Sequence, residues 1–172
     1  ISGLLFAAAL MDGKSTITIS GVPESKPYIE MTQLALKAFG VDTRDYHISG
    51  AFPFCSPGRI VVEGDWSNAA FFMAAKALDN LIKIDNLNLL SPQGDRAIAK
   101  LLKQYDSLTT IDVTDIPDLV PILAVFFGAK KDITFTGISR LRLKESDRVA
   151  SVCNMISRLG ANAYATENTI AI

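Results

Sequence analysis

The sequence predicts an α/β fold with helices packed against short strands, and three observations carry the prediction. One pattern recurs three times: an apolar helix, a short strand rich in Thr and Ile, a loop, an amphipathic helix, then more strand. The composition is globular, 49% apolar and 20% charged. The length, 172 residues, suits one ordinary domain or two small ones and is ample for a buried core. Passes of roughly 50–65 residues with unequal insertions, such as residues 50–58, favour a pseudo-symmetric lobe over an open solenoid.

In the first pass the apolar helix spans residues 1–11, the strand 15–20 (STITIS), and the second helix 29–39. Gly40 supplies its stop, and strand residues follow at 47–49 and 59–63. The second pass runs from a helix at 68–78 through a strand at 81–85 (LIKID) to a helix at 93–104 and a strand at 108–113. In the third, a helix at 118–127 leads to a strand at 132–136 (DITFT), a helix at 146–159 with its Gly160 stop, and strands at 162–164 and 169–172. The first helix of each pass is apolar enough to be fully buried, and the second is buried on one face. Function belongs at the strand-to-helix loops, which differ from pass to pass.

Composition also excludes classes of partner. Seventeen basic residues against eighteen acidic ones give a net charge of −1, which argues against a general nucleic-acid or anionic-membrane surface. The longest apolar runs are about half of what a bilayer span needs. Cys55 and Cys153 have no metal or redox spacing, so reduced thiols in a cytoplasmic protein are expected. The chain opens inside an apolar helix with neither an initiator Met nor a cap, the look of a piece of something longer.

Four segments offer chemistry. Residues 140–148 read Arg-Leu-Arg-Leu-Lys-Glu-Ser-Asp-Arg. As an extended chain this puts Arg140, Arg142 and Lys144 on one face, followed by a helix whose first turn carries Glu145, Asp147 and Arg148. Such a corner attracts small polyanions, although a solvated strand edge and a capped helix would use the same residues. Asp118, in Ile116-Pro117-Asp118, reads either as a helix-start carboxylate or as a general base walled by Leu119, Val120 and Ile122, which would raise its pKa. Ser25-Lys26-Pro27-Tyr28 offers a hydroxyl, an ammonium and a phenol ahead of a helix, or simply a Pro-stiffened helix start. The segment 62–70, Val-Glu-Gly-Asp-Trp-Ser-Asn-Ala-Ala, reads as a strand end, a glycine turn and an Asp or Ser cap. His47, the only histidine, has no nominated nucleophile and reads as a strand or loop residue.

Taken together, Lys144-Glu145-Ser146-Asp147-Arg148, Glu63-Gly64-Asp65-x-Ser67-x-Ala69, Ile116-Pro117-Asp118, Gln93-Gly94-Asp95 and Ser25-Lys26-Pro27-Tyr28 resemble the 5-enolpyruvylshikimate-3-phosphate synthases, in order and spacing, over essentially the whole chain. The resemblance implies two lobes built of βαβαββ-type units, residues 1–62 in one and 63–172 in the other, both incomplete. It implies transfer of the enolpyruvyl group of phosphoenolpyruvate to the 5-hydroxyl of shikimate 3-phosphate with release of phosphate, a step of aromatic amino acid biosynthesis, with no cofactor and no metal. The partners implied are these two small molecules, with no nucleic acid and no membrane.

Position by position, Asp118 resembles the base for the 5-hydroxyl and Glu145 the acid that protonates the methylene carbon. Lys144 resembles a lysine near both substrates, Arg148 an arginine on the phosphoenolpyruvate side, and Ser25 and Tyr28 contacts to shikimate 3-phosphate. No role follows for Arg140, where some relatives place asparagine. The family's basic terminal segments have no counterpart here, so the chain is expected to be inactive alone. The competing readings are the enolpyruvyl transferase acting on UDP-N-acetylglucosamine and a non-catalytic anion-binding module.

Overall fold

A computed structural model describes residues 1–23, 25–50, 54–78 and 81–172. Part of the expected insertion at 50–58 lies outside the described residues. The chain divides into two compact units, Ile1–Glu63 and Gly64–Ile172.

The N-terminal unit contains α1 (Ser2–Leu10), β1 (Lys14–Thr16), α2 (Lys26–Ala38) and β2 (His47–Ser49). Antiparallel β1 and β2 pair in the register Lys14 to Ser49, Ser15 to Ile48 and Thr16 to His47. α1 packs against α2 and β2 around a core of Leu5, Ala8, Ala9, Ile29, Leu36, Val41 and Ile48. The expected full burial of the first helix fails here. Only Leu5, Ala8 and Ala9 of α1 are buried, while Leu4, Phe6 and Leu10 are exposed. An all-apolar helix with one neighbouring helix can bury only the stripe that faces it. β1 is shorter than expected, and residues 17–20 and 59–63 form no ladder in the described structure.

The C-terminal unit contains α3 (Trp66–Ala77), α4 (Ala97–Lys103), β3 (Thr110–Asp112), α5 (Val120–Gly128), β4 (Thr134–Thr136), α6 (Arg148–Arg158), β5 (Tyr164–Ala165) and β6 (Thr169–Ala171). Its sheet runs β3-β4-β6-β5, with β3 parallel to β4 and the other neighbours antiparallel. A parallel pair needs a crossover, and α5 lies in it. α5 (VPILAVFFG) buries Val120, Leu123, Ala124, Phe126 and Phe127. Edge-to-face ring contacts run from Tyr105 to Phe126 at 5.5 Å, on to Phe127 at 5.4 Å, and then to Phe135 of β4 at 6.5 Å. α3 instead buries its Trp66, Ala69, Ala70 and Ala74 stripe and exposes Phe71 and Phe72. Residues 81–85 are not a strand. The mixed α/β class stands, and the repeat survives as three helix pairs: α1 with α2, α3 with α4, α5 with α6.

Residues 139–143 overturn the extended reading. Ser139–Leu143 is a 3₁₀ turn, so Arg140, Arg142 and Lys144 do not share a strand face. Ile138 and Leu141, three residues apart, are buried on one side of the turn, and Leu143 is exposed. Three-residue spacing is the 3₁₀ period, and the alternation read as a strand was too short to distinguish the two. α6 also begins later than expected, so Glu145 precedes it and Asp147 is its N-cap.

Candidate functional site

Asp118 sits in a 3₁₀ turn, Pro117–Leu119, that leads directly into α5. Pro117 fixes the entry, while Leu119 and Val120 turn into the core. The carboxylate therefore faces cations rather than the expected apolar wall. Arg148, the first residue of α6, donates a hydrogen bond through Nη1 to Asp118 Oδ1. Lys144 Nζ lies 3.6 Å from the same oxygen. Arg148 Nη2 also reaches Glu145 Oε2 at 3.3 Å.

Capping places Arg148. The Asp147 side chain accepts from the backbone N–H groups of Val149 (2.9 Å) and Ala150 (3.1 Å), which fixes where α6 starts. Arg142 reaches Asp147 Oδ2 at 3.4 Å and donates to the Thr166 carbonyl at 2.8 Å, linking the turn to the β5–β6 hairpin. Asp118, Lys144 and Arg148 are each about a quarter exposed at the side chain, so the cluster is accessible but partly desolvated. Glu145, at 83%, is mostly in solvent. Its own backbone N–H, then Arg148 and Lys144, hold its carboxyl below the ordinary glutamate range.

A carboxylate pinned by an ammonium and a guanidinium, with a second carboxylate beside them, can take up an anionic ligand through the cations and offer a base at its edge. The structure brings together Asp118, Lys144, Glu145 and Arg148. Ser25 and Tyr28 form a separate pair in the N-terminal unit. Ser25 is the buried N-cap of α2 with a left-handed backbone (φ 53°), and its carbonyl accepts from the Tyr28 N–H at 3.1 Å.

The glycine turn before α3 was read as a cap, and Asp65 is that cap, accepting from Ser67 N at 2.8 Å. Gly64 has no room for a side chain, since a Cβ would lie 2.5 Å from the Asn86 carbonyl oxygen. Gln93 clasps this turn, accepting from Trp66 N at 2.8 Å and donating to the Gly64 carbonyl at 3.0 Å. His47 Nδ1 lies 3.0 Å from Thr16 Oγ1 across the β1–β2 ladder. Among the described residues, no group of three or more His, Cys, Asp or Glu is placed to hold a metal, and no helix is long and apolar enough to cross a membrane.

The family profile described as EPSP synthase (3-phosphoshikimate 1-carboxyvinyltransferase) matches residues 1–109 and 103–172, which together span the chain. The chain belongs to the EPSP synthase family. Among curated relatives, a 3-phosphoshikimate 1-carboxyvinyltransferase of Brachyspira hyodysenteriae is 39% identical over 196 aligned residues, covering 100% of this chain and 47% of its own length. Proteins of the same name from Clostridium botulinum and Clostridium acetobutylicum are each 33% identical, over 100% of this chain and 45% of theirs. The chain thus spans about half the length of the curated relatives it matches.

Two further residues, Arg142 at the α6 cap and the buried Asp95, have no site role in the sequence reading. Arg142 was singled out only as part of a strand face. Asp95, the last residue of Gln93-Gly94-Asp95, is 3% exposed and accepts a hydrogen bond from Ser67 Oγ at 2.5 Å. The match of Gln-Gly-Asp to the family's order was the available signal.

Proposed function

We propose that the chain carries the phosphoenolpyruvate-side machinery of an enzyme that transfers the enolpyruvyl group of phosphoenolpyruvate to the 5-hydroxyl of shikimate 3-phosphate, releasing phosphate. The observation that carries this reading is the convergence of Asp118, Lys144, Glu145 and Arg148 from two helix starts, within a chain of the EPSP synthase family. On this reading the N-terminal unit belongs to one lobe and the C-terminal unit to the other. Ser25 and Tyr28 contact shikimate 3-phosphate from theirs. The two cysteines are free, which fits a cytoplasmic setting.

The addition half of the reaction needs a proton off oxygen and a proton onto carbon, and the elimination half takes a proton back off the resulting methyl group as the C–O bond to phosphate breaks. Asp118 takes the 5-hydroxyl proton, and Glu145 delivers one to the methylene carbon. Arg148 binds the carboxylate or phosphate of phosphoenolpyruvate as a planar fork, and Lys144 neutralises charge developing between the substrates. Glu145 meets this role only if ligand binding reverses its surroundings, because in the free chain its neighbours favour the ionised form. An anionic substrate seated on Lys144 and Arg148 would do that, by occupying the cations and excluding water.

The test is turnover, measured as phosphate release from the two substrates. In a chain of the relatives' length carrying this sequence, Glu145→Gln and Asp118→Asn each reduce kcat by at least about a hundredfold. Solvent deuterium incorporation into the methylene group collapses in the Glu145 variant. Wild-type exchange there would remove Glu145 from carbon protonation, and turnover with UDP-N-acetylglucosamine instead of shikimate 3-phosphate would reassign the substrate.

A further inference from the structure

Leu141 and Val149 are buried, and no residue between them is. Core packing therefore fixes the two ends of this stretch but not its course, although Lys144, Glu145 and Arg148 all lie on it. Arg148 is placed twice over, by the start of α6 and by its bond to Asp118. Lys144 and Glu145 have no helix beneath them. Lys144 leaves the 3₁₀ turn with an extended backbone (φ −79°, ψ −172°), and Glu145 is mostly in solvent. Ordering an exposed stretch costs conformational entropy, so side-chain contacts have to hold it in place.

Arg142 makes two such contacts at once. From the end of the Ser139–Leu143 turn, its Nη1 lies 3.4 Å from Asp147 Oδ2, and its Nη2 donates to the Thr166 carbonyl at 2.8 Å. The first contact closes the stretch on itself. The second ties it to the turn between β5 and β6, which is itself locked: the Thr166 N–H donates to the Thr169 carbonyl at 2.9 Å, the Thr169 N–H donates to Thr166 Oγ1 at 3.0 Å, and the two hydroxyl oxygens are 2.8 Å apart. β6 pairs in turn with β4 of the sheet. Asp147 divides its oxygens, Oδ1 accepting from the Val149 and Ala150 amides and Oδ2 facing Arg142, so bridge and cap can be broken separately.

We propose that Arg142 is a positioning residue of the cluster formed by Asp118, Lys144, Glu145 and Arg148: its guanidinium bridges the α6 cap and the β5–β6 turn, and so fixes the segment from which Lys144 and Glu145 extend. The bridge uses two nitrogens of one planar group to meet acceptors on two different elements, and an ammonium, a point charge, does not offer two donors at that fixed spacing. With the Arg142 and Asp147 side chains 37% and 44% accessible, the ion pair contributes little to global stability. Its effect is local, on where Lys144 meets Asp118 and where Glu145 stands beside Arg148. The catalytic consequence rests on the function proposed above; the ordering of the segment does not.

Arg142→Lys, which keeps the charge, and Arg142→Met, which does not, test this together. In the nitrogen-15-labelled 172-residue chain, backbone order parameters at residues 143–146 fall in both variants by at least about 0.1, on a scale where rigid backbone gives about 0.85 and flexible segments less than about 0.6. The Val149 and Ala150 amides keep their protection from exchange, and the urea midpoint barely moves. In a chain of the relatives' length, both variants lower kcat about tenfold or more, since a misplacement of about 1 Å can cost a hundredfold. KM for phosphoenolpyruvate changes less than about twofold, because Arg148 keeps its place. Unchanged order at residues 143–146 would overturn the proposal. So would wild-type behaviour of Arg142→Lys with the loss confined to Arg142→Met, which would leave Arg142 only its charge, and so would a fall in the urea midpoint with local order intact, which would make it a folding residue. Where either variant does not fold, Asp147→Asn keeps the cap oxygen and sets an amide NH₂ against Arg142; the same loosening is expected there, and a segment as ordered as in the wild type would contradict the bridge. Absent turnover in the wild type would count against the proposed function and leave the order parameters to decide the positioning.

Discussion

Gly137 shows how little freedom a single position can have in the C-terminal unit. Its backbone is left-handed (φ +72°), and a Cβ would fall 2.2 Å from Thr114 Oγ1 and 2.6 Å from Asp112 Oδ1. Those two side chains are already bonded at 2.6 Å, and the Thr114 N–H adds a second bond to the same carboxylate at 2.9 Å. Gly137→Ala should therefore destabilise the C-terminal unit by about 2 kcal/mol or more, from the left-handed backbone and the collision together. Urea denaturation measures it, and a loss under about half a kcal/mol would contradict the packing described. The two Thr114 bonds hold the Asp112 carboxyl below the ordinary range. A carboxyl lowered in the folded state contributes stability above its unfolded pKa and loses it as pH falls through the folded one. Thr114→Val should cost under about 1 kcal/mol at neutral pH, since the group is exposed and solvent-screened. The difference from wild type should vanish on acidification; a difference that grows toward low pH would reverse the sign assigned here.

Among the elements, α6 matters most for placing chemistry, because Asp147 fixes the residue at which it starts and so the direction of Arg148. Asp147→Ala should cost about 1 kcal/mol. It should also loosen the first turn of α6, seen as faster hydrogen exchange at Val149 and Ala150; protection unchanged at both amides would show that the cap is not what holds the helix start. Helices were legible in the sequence because apolar residues at helical spacing, glycine stops and proline starts act locally. The strands were less so. LIKID at residues 81–85 has the composition of a strand but pairs with nothing in the described structure, and pairing is not a local property. The turn at Ser139–Leu143 was misread because five alternating residues satisfy a strand and a 3₁₀ turn equally well, and burial of Ile138 and Leu141 decides between them. Exposure along α1 and α3 was illegible for a related reason: apolar content shows that a face can be buried, not that a neighbour is there.

At the scale of the whole molecule, the candidate residues fall in different units: Ser25 and Tyr28 in Ile1–Glu63, and Asp118, Lys144, Glu145 and Arg148 in Gly64–Ile172. The four residues of the second unit stand out in the sequence as a contiguous charged segment and a Pro-Asp step, and the structure brings them together. The buried setting of Asp95 is not legible in the same way, since it depends on packing and on Ser67, 28 positions earlier. The chain spans about half the length of the curated relatives it matches, and under the proposed function two anionic substrates would need more cations than Lys144 and Arg148 supply. We therefore predict no steady-state phosphate release from the 172-residue chain alone; release above background would show that these cations suffice. What the chain should retain is recognition of the smaller anion. Titrating phosphoenolpyruvate into nitrogen-15-labelled protein, with the Arg148 Nε–H and the amides of residues 144–149 as reporters, tests this most directly. The account predicts saturable shifts confined to those signals and the Asp118 turn, absent in Arg148→Ala and not reproduced by sulfate at equal concentration. Shifts that sulfate reproduces fully, that persist in Arg148→Ala, or that appear elsewhere in the chain would contradict it.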